Sequence, residues 1–360
     1  MTRRRLALAI VLSIALSRPV LAQPYSARDD AGVIQLQDAR TETVVSIIPS
    51  VGNIAFEMKI KGHEVLHWPY ASIVEFKSRP GLSGIPFLGP WANRLDEQAF
   101  YANGKRYAFD MQLGNVRGTI PIHGFLTTND QWQVVEVKAD SGSAWTTSKL
   151  DFFRNPMWMK QFPFAHTLEM TYRLRDGALE VETRIRNLST DPMPVAIGFH
   201  PYFQLTDSPR DEWTIAIGAR TEWLLAENKV PTGATRSIEQ LFPDPTGAAL
   251  KDYNLDHVFG DLIRDGDGRA VMTVKGKSQA LDVMVGPNYR AVVAYAPKGD
   301  TQQPAAGGRA GQNRNFICFE PMAGVTDAMN LAQKGLYHEL QSIPAGGTWQ
   351  ESFWVRPRGF

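Results

Sequence analysis

The stretch FAHTLEMTYRLRDGALEVETRIRN, Phe164–Asn187, decides the fold class. Apolar and polar residues alternate through Phe164–Leu174 and again through Ala178–Asn187, the period-2 pattern of half-buried strands. Asp176-Gly177 between them reads as a tight turn. The pattern spreads outward from this hairpin. Val33–Leu36, Thr43–Ile48 and Asn53–Ile60 read as strands, with Lys61-Gly62-His63 turning after the third. Asn103-Gly104 joins Phe100–Ala102 to Lys105–Phe109 and favours the positive φ angles of a type I′ hairpin. Gln131–Val137, Ala144–Leu150, Val195–His200, Glu212–Ile217, Arg269–Val274, Leu281–Val285, Ala291–Ala296 and Gly347–Val355 extend the series. Helical periodicity is confined to about Val325–Lys334, with Thr326 or Asp327 as cap and Gly335 as stop. Many short strands and almost no helix predict an all-β protein, a large antiparallel β-sandwich or barrel. No fixed-period repeat and no linker divide it, so residues 23–360 are read as a single domain.

Residues 1–22 are read apart from that domain. Arg3, Arg4 and Arg5 precede an apolar run, Leu6–Leu16, and the small-residue site Val20-Leu21-Ala22, the layout of a cleavable signal peptide. The expectation is a periplasmic or secreted protein with no membrane segment after cleavage. Removing this leader takes four of the 38 basic residues and none of the 37 acids, leaving 34 against 37 and a formal charge of −3. A near-neutral chain without lysine or arginine runs has no footprint for nucleic acid, so small uncharged partners are expected. Cys318 is the only cysteine, which rules out an intramolecular disulfide and leaves stability to the core. The thiol is read as a small buried hydrophobe.

Five places put polar side chains where a sandwich would not want them. Asn93-Arg94 follows a rigid Gly/Pro/aromatic run, and Arg94 offers a planar fork of donors for hydroxyls or a carboxylate. His123 lies between an apolar strand and Gly124. His200 closes an apolar strand before Pro201. Asp256 and His257 stand among apolar neighbours. In the alternating stretch Asn315–Met322, Ile317 and Phe319 point one way and Phe316, Cys318 and Glu320 the other, and Glu320 takes the last step of the strand before Pro321, a proline expected not to continue the ladder. An ionised carboxylate in such company must be paired or solvated in a cleft. Each also has an ordinary explanation: a solvated strand end for Glu320, structural histidines, a surface pair of Arg94 with Asp96 or Glu97, a turn acid for Asp256. The histidines lack metal-ligand spacing, no Gly-rich loop links strand to helix, and no serine nucleophile elbow occurs, so neither metal nor cofactor is expected. Lys298–Gln312, small, polar and Gly/Pro-rich, reads as an exposed loop or a lid beside the Glu320 strand.

Taken in order, the Asn-Arg motif (Asn93, Arg94), the Asn-Gly-Lys hairpin, His123-Gly124, His200-Pro-Tyr-Phe203, Leu255-Asp-His-Val-Phe259 and Glu320-Pro321 resemble the aldose 1-epimerase (galactose mutarotase) family. The resemblance spans most of residues 23–360. It implies a galactose mutarotase-like β-sandwich with a sugar cleft across one sheet, acting as a monomer or homodimer without cofactor. It also implies Glu320 as catalytic base, His200 as catalytic acid, and Asn93, Arg94, His123 and Asp256 as substrate-binding residues. Gly84-Ile85-Pro86 and Phe125 look more like the divergent branch that includes the hexose-6-phosphate epimerases. Export argues for a free hexose, although Arg79, Arg94 and Arg117 could converge on a phosphate. Two readings of other classes stand beside the isomerase: a non-catalytic carbohydrate-binding protein, and a glycosidase or lyase using Asp256 and Glu320.

Overall fold

The computed structural model describes residues 23–112, 116–298 and 314–360. The leader reading of residues 1–22 and the loop reading of 299–312 fall outside them. Nine antiparallel strands form the larger sheet, in the order Gln133–Ala139, Ala144–Asp151, His166–Arg175, Ala178–Asn187, Thr348–Arg358, Ala280–Val285, Ala270–Lys275, Thr214–Ile217 and Ala248–Ala249. The hairpin Phe164–Asn187 sits inside it, Leu168 facing Ile185 and Tyr172 facing Val181. Facing this sheet is a second one, built from Pro231–Ser237, Ala219–Leu225, Leu255–Leu262, Ala291–Ala296, Ile317–Met322, Gly198–Phe199 and Phe87–Leu88, with Tyr202–Phe203 also on the Ile317–Met322 strand. A five-stranded sheet, Tyr25–Glu64, completes the frame. Phe199 of one sheet meets Phe353 of the other at 4.9 Å between ring centroids, inside the core that also buries Tyr172, Trp213, Val283, Ile317 and Phe319. This is the expected all-β sandwich.

The second sheet is buried on both sides, and that places the site. Alternation sends Ile317 and Phe319 into the sandwich core, while Cys318 and Glu320 turn to the opposite face with Val258, Val293 and Met322. The helix Ala328–Gln333 covers part of that face through Ala328 and Leu331. What the helix leaves uncovered is a cleft lined by Glu320.

Several local expectations are corrected. Pro321 does not end its strand: Ile317–Met322 continues through it, with Pro321 opposite Val292. The Val195–His200 run is two pieces, because the chain changes partners. Met193–Val195 pairs with Gln341–Ile343, the Ala196 carbonyl accepts from the Ala92 N–H at 2.6 Å, and Gly198–Phe199 joins the second sheet. Glu212 belongs to a 3-10 turn, Arg210–Glu212, before the strand Thr214–Ile217. The helix starts at Ala328, and its cap Asp327 adopts a left-handed φ of 60° with its side chain turned away from the helix N–H groups.

Candidate active site

All six candidate residues line one cleft, with Arg117, Tyr202, Tyr295, Leu82 and Ile122. Glu320 forms its floor and is 2% exposed. Strand pairing puts Tyr202 and Tyr295 opposite Cys318, two residues before Glu320, so two phenol rings flank the carboxylate. His200 enters from the end of Gly198–Phe199, its N–H bound to the Pro86 carbonyl at 3.0 Å. Its ring stacks on Tyr202 with centroids 4.7 Å apart and planes within 7°. This arrangement directs Nε2 at Glu320 Oε1, 3.2 Å away. Glu320 Oε2 and His200 Nδ1 are buried with no protein partner.

Burial governs the protonation of this pair. It pushes the Glu320 carboxyl well up, reinforced by the Asp256 charge and opposed by Arg94. It pushes the His200 imidazole down to about 3, with Arg117 and Arg94 adding to the effect. Burial thus favours the uncharged form of each member, a protonated carboxyl facing a neutral imidazole, with one site to give a proton and another to receive one.

The opposite wall is a backbone clasp. Asn93 and His123 both adopt left-handed φ angles, 57° and 62°. The His123 N–H donates to the Asn93 carbonyl at 2.9 Å, and the Asn93 N–H donates to His123 Nδ1 at 3.2 Å. Nδ1 is thus an acceptor, so the proton of the neutral ring sits on Nε2 as a donor. Burial keeps this imidazole neutral by lowering it well below its usual value, with His200, Arg94 and Arg117 contributing. The Asn93 side-chain oxygen accepts from the Arg94 backbone N–H at 3.0 Å and from Nη1 at 2.9 Å, fixing the guanidinium in the cleft. Arg94 Nη2 stands 4.0 Å from Asp256 Oδ2. The surface alternative for Arg94 does not hold: Lys334 is the partner of both Asp96 and Glu97.

His257, next to Asp256, has a different job. It contacts Glu222 at 2.6 Å, and Arg236 donates to the same carboxylate at 2.6 Å. Burial pushes Glu222 up, yet hydrogen bonds from these two partners hold it below its ordinary value. The cluster ties three strands of the second sheet together outside the cleft. Arg79 caps the helix Ile73–Ser78 and does not line the cleft, so the three-arginine convergence is not formed.

Sequence reading missed Tyr202 and Tyr295 as walls. Both were visible only through register, since each faces Cys318 from a different strand. It also missed the support beneath Arg94. Asp327 Oδ1 accepts from the Asp96 N–H at 2.9 Å and from Asn330 Nδ2 at 2.7 Å, and Asn330 Nδ2 also donates to the Ala99 carbonyl at 2.9 Å. Burial raises the Asp327 carboxyl to about 7, whereas an unfolded aspartate titrates near ~3.9. The stabilisation is thus fully present below about pH 4 and is lost as pH rises toward the folded value. Asp327→Asn keeps the accepting oxygen, tolerates the left-handed backbone and cannot ionise. It is expected to match the wild type near about pH 4 and to exceed it by ~1–3 kcal/mol near pH 8, read by urea unfolding at the two pH values. A variant less stable at the higher pH would refute this account of the support.

The arrangement suits proton transfer on a polyhydroxylated ring: an acid/base pair on the floor, a guanidinium, a neutral N–H donor and a half-exposed carboxylate on the walls. Comparison with known proteins agrees. The sequence profile of the family described as "Aldose 1-epimerase" matches residues 33–341. Protein YihR of Escherichia coli (strain K12), itself named as uncharacterized, is 25% identical over 261 residues, covering 70% of this chain and 76% of YihR. The fold is shared with a galactose mutarotase-like protein of Clostridium acetobutylicum, at a TM-score of 0.78 and 21% identity over 93% of this chain and 98% of that one. It is shared too with the GalM/aldose epimerase homologue of C. elegans, at 0.69 and 18% over 89% and 97%, and with galactose 1-epimerase of Lactobacillus acidophilus, at 0.70 and 16% over 93% and 98%. The chain belongs to the aldose 1-epimerase family and is an isomerase of the mutarotase type.

Proposed function

We propose that the protein interconverts the α and β anomers of a free hexose-sized aldose in this cleft, with Glu320 as base and His200 as acid. The observation that carries this reading is the 3.2 Å contact between His200 Nε2 and Glu320 Oε1 on the cleft floor. Glu320 takes the proton of the C1 hydroxyl. The C1–O5 bond breaks, its electron pair stays on the ring oxygen, and His200 protonates that oxygen. Rotation about C1–C2 turns the aldehyde over, O5 attacks the other face, and both protons return.

With only protein groups around it, burial favours the protonated form of Glu320. The hydroxyls of a bound sugar and the nearby Arg94 charge favour the carboxylate, so the proton passes to His200 across the short contact as substrate enters. The pair begins and ends each turnover with one proton. That symmetry suits a reaction whose second half is its first half reversed. His123 Nε2–H and Arg94 would donate to sugar oxygens, and Asp256 would accept from ring hydroxyls. In the same reading residues 1–22 direct export, and the reaction takes place in the periplasm or outside the cell. No helix among the described residues is long and apolar enough to cross a membrane.

The test is magnetisation-exchange NMR on equilibrated aldose solutions. Exchange between the two anomeric C1 protons should quicken in proportion to protein concentration. Saturable sugar binding with exchange no faster than in buffer would leave a binding protein and overturn the enzymatic reading.

A further inference from the structure

Two arginines line the cleft, and only one of them has an acidic partner in it. Arg94 faces Asp256, and their charges cancel. Burial favours the uncharged forms of His200, Glu320 and His123. Arg117 remains. It is the second residue of the short strand Val116–Arg117, which pairs with Ile120–Pro121 just before His123. It therefore stands on the same wall as the backbone clasp. Its guanidinium lines the cleft and makes no hydrogen bond or ion pair among the described residues. Its charge is felt by His123, His200, Arg94, Tyr202 and Tyr295, which surround the floor. Arg117 is itself exposed, so it stands on the solvent side of the cleft as a cation with no ion partner among the described residues.

Resting on the mutarotase reading of this site, we infer that the preferred substrate is an aldose bearing a single carboxylate, a hexuronic acid, and that Arg117 receives the carboxylate. A planar guanidinium presents two parallel N–H donors that match the two oxygens of a carboxylate. One free positive charge balances one negative charge. A phosphate near two negative charges would call for a second free cation, and the cleft's other arginine is engaged by Asn93 and Asp256. A neutral hexose would leave Arg117 without an ionic partner. Arg117 is thus a specificity-determining residue, set apart from the proton-transfer pair.

The experiment compares kcat/KM for galactose, galacturonate, glucose, glucuronate and glucose 6-phosphate by exchange NMR, in wild type, Arg117→Ala and Arg117→Lys. The wild type is expected to prefer each uronate to its parent hexose. Arg117→Ala should lower the uronate-to-hexose ratio about 10–100-fold, chiefly through KM, as loss of one charge-assisted hydrogen-bonded contact predicts, and Arg117→Lys should restore part of it. An unchanged ratio in Arg117→Ala overturns the inference. Preference for the 6-phosphate over the uronates overturns the carboxylate in favour of a phosphate. Calorimetric titration of galacturonate into Glu320→Gln, with and without Arg117→Ala, separates this from the catalytic reading. Weaker binding in the double variant supports Arg117 even if no sugar is mutarotated, and equal binding counts against it even if every sugar is.

Discussion

Replacing Glu320 by Gln is expected to lower kcat for anomer exchange by ~10²–10⁴-fold, the usual contribution of a positioned general base, without destabilising the fold. The carboxyl is buried on the cleft floor, and Oε2 has no protein partner. An amide keeps its shape and can still meet His200, yet it cannot accept and return the C1 proton. Burial already penalises the ionised carboxylate, so a neutral amide should leave the melting temperature equal or higher. His200→Asn should cost a similar factor in rate. It also removes a ring stacked 4.7 Å from Tyr202, so it will cost some stability as well. Because the two groups pass one proton between them, the double variant should be barely slower than the worse single variant. Polarimetry gives the rates and thermal unfolding the stabilities. Wild-type exchange in Glu320→Gln would remove the carboxylate from the mechanism. Multiplying losses in the double variant would show that the residues act independently.

How far such a site can be read from sequence depends on which forces place each residue. Local backbone chemistry was legible. Asn103 and Gly104 do take φ of 52° and 70°, and Asp176 and Gly177 take 49° and 71°, as tight hairpins between twisted strands require. The two faces of the Glu320 strand were legible from alternation alone, since only a one-residue register error would exchange Phe319 with Glu320. Pro321 misled because a proline lacks only its donor: a strand can run through it where that donor is not required, as it does opposite Val292. Asp327 misled in another way. It stands where a cap belongs, but the Asp96 N–H, 231 residues away in sequence, competes for its carboxylate. Only tertiary structure reveals that competitor.

The same division runs through the site. The identities of Asn93, Arg94, His123, His200, Asp256 and Glu320 were readable from the order of their motifs, and all six line the cleft. Their electrostatics were not. Whether a buried carboxyl keeps its proton depends on desolvation and on which charges approach from other strands. Some of those neighbours arrive through long-range pairing, as Tyr295 does beside Cys318, and others through a short hairpin, as Arg117 does on the wall that carries His123. The unbalanced charge of Arg117 is of this kind: the residue type was visible, but not its lack of a partner.

Gly124→Ala is expected to cost ~3 kcal/mol or more of stability, from a left-handed alanine together with overpacking against a rigid backbone, and most of the activity with it. Gly124 has a φ of 59°, and a Cβ there would lie 2.1 Å from the Gly89 carbonyl oxygen and 2.8 Å from the Pro90 nitrogen. That oxygen accepts from the Phe125 and Leu126 N–H groups at 3.0 and 3.1 Å, so it cannot retreat without breaking both bonds. The strain falls on the residue beside His123, whose N–H and Nδ1 both hold Asn93. Displacing His123 shifts Asn93, and with it the oxygen that fixes Arg94. Gly104→Ala supplies the control. Its φ is 70°, but nothing lies within 4 Å of the added methyl, so only the backbone strain of roughly 1–2 kcal/mol applies. Urea unfolding of the two variants should therefore separate clash from conformation, and exchange kinetics should show a loss confined to Gly124→Ala. Equal destabilisation and equal rates in the two would mean that the turn carrying His123 can relax, and that the Asn93–His123 clasp is not what holds Arg94 in the cleft.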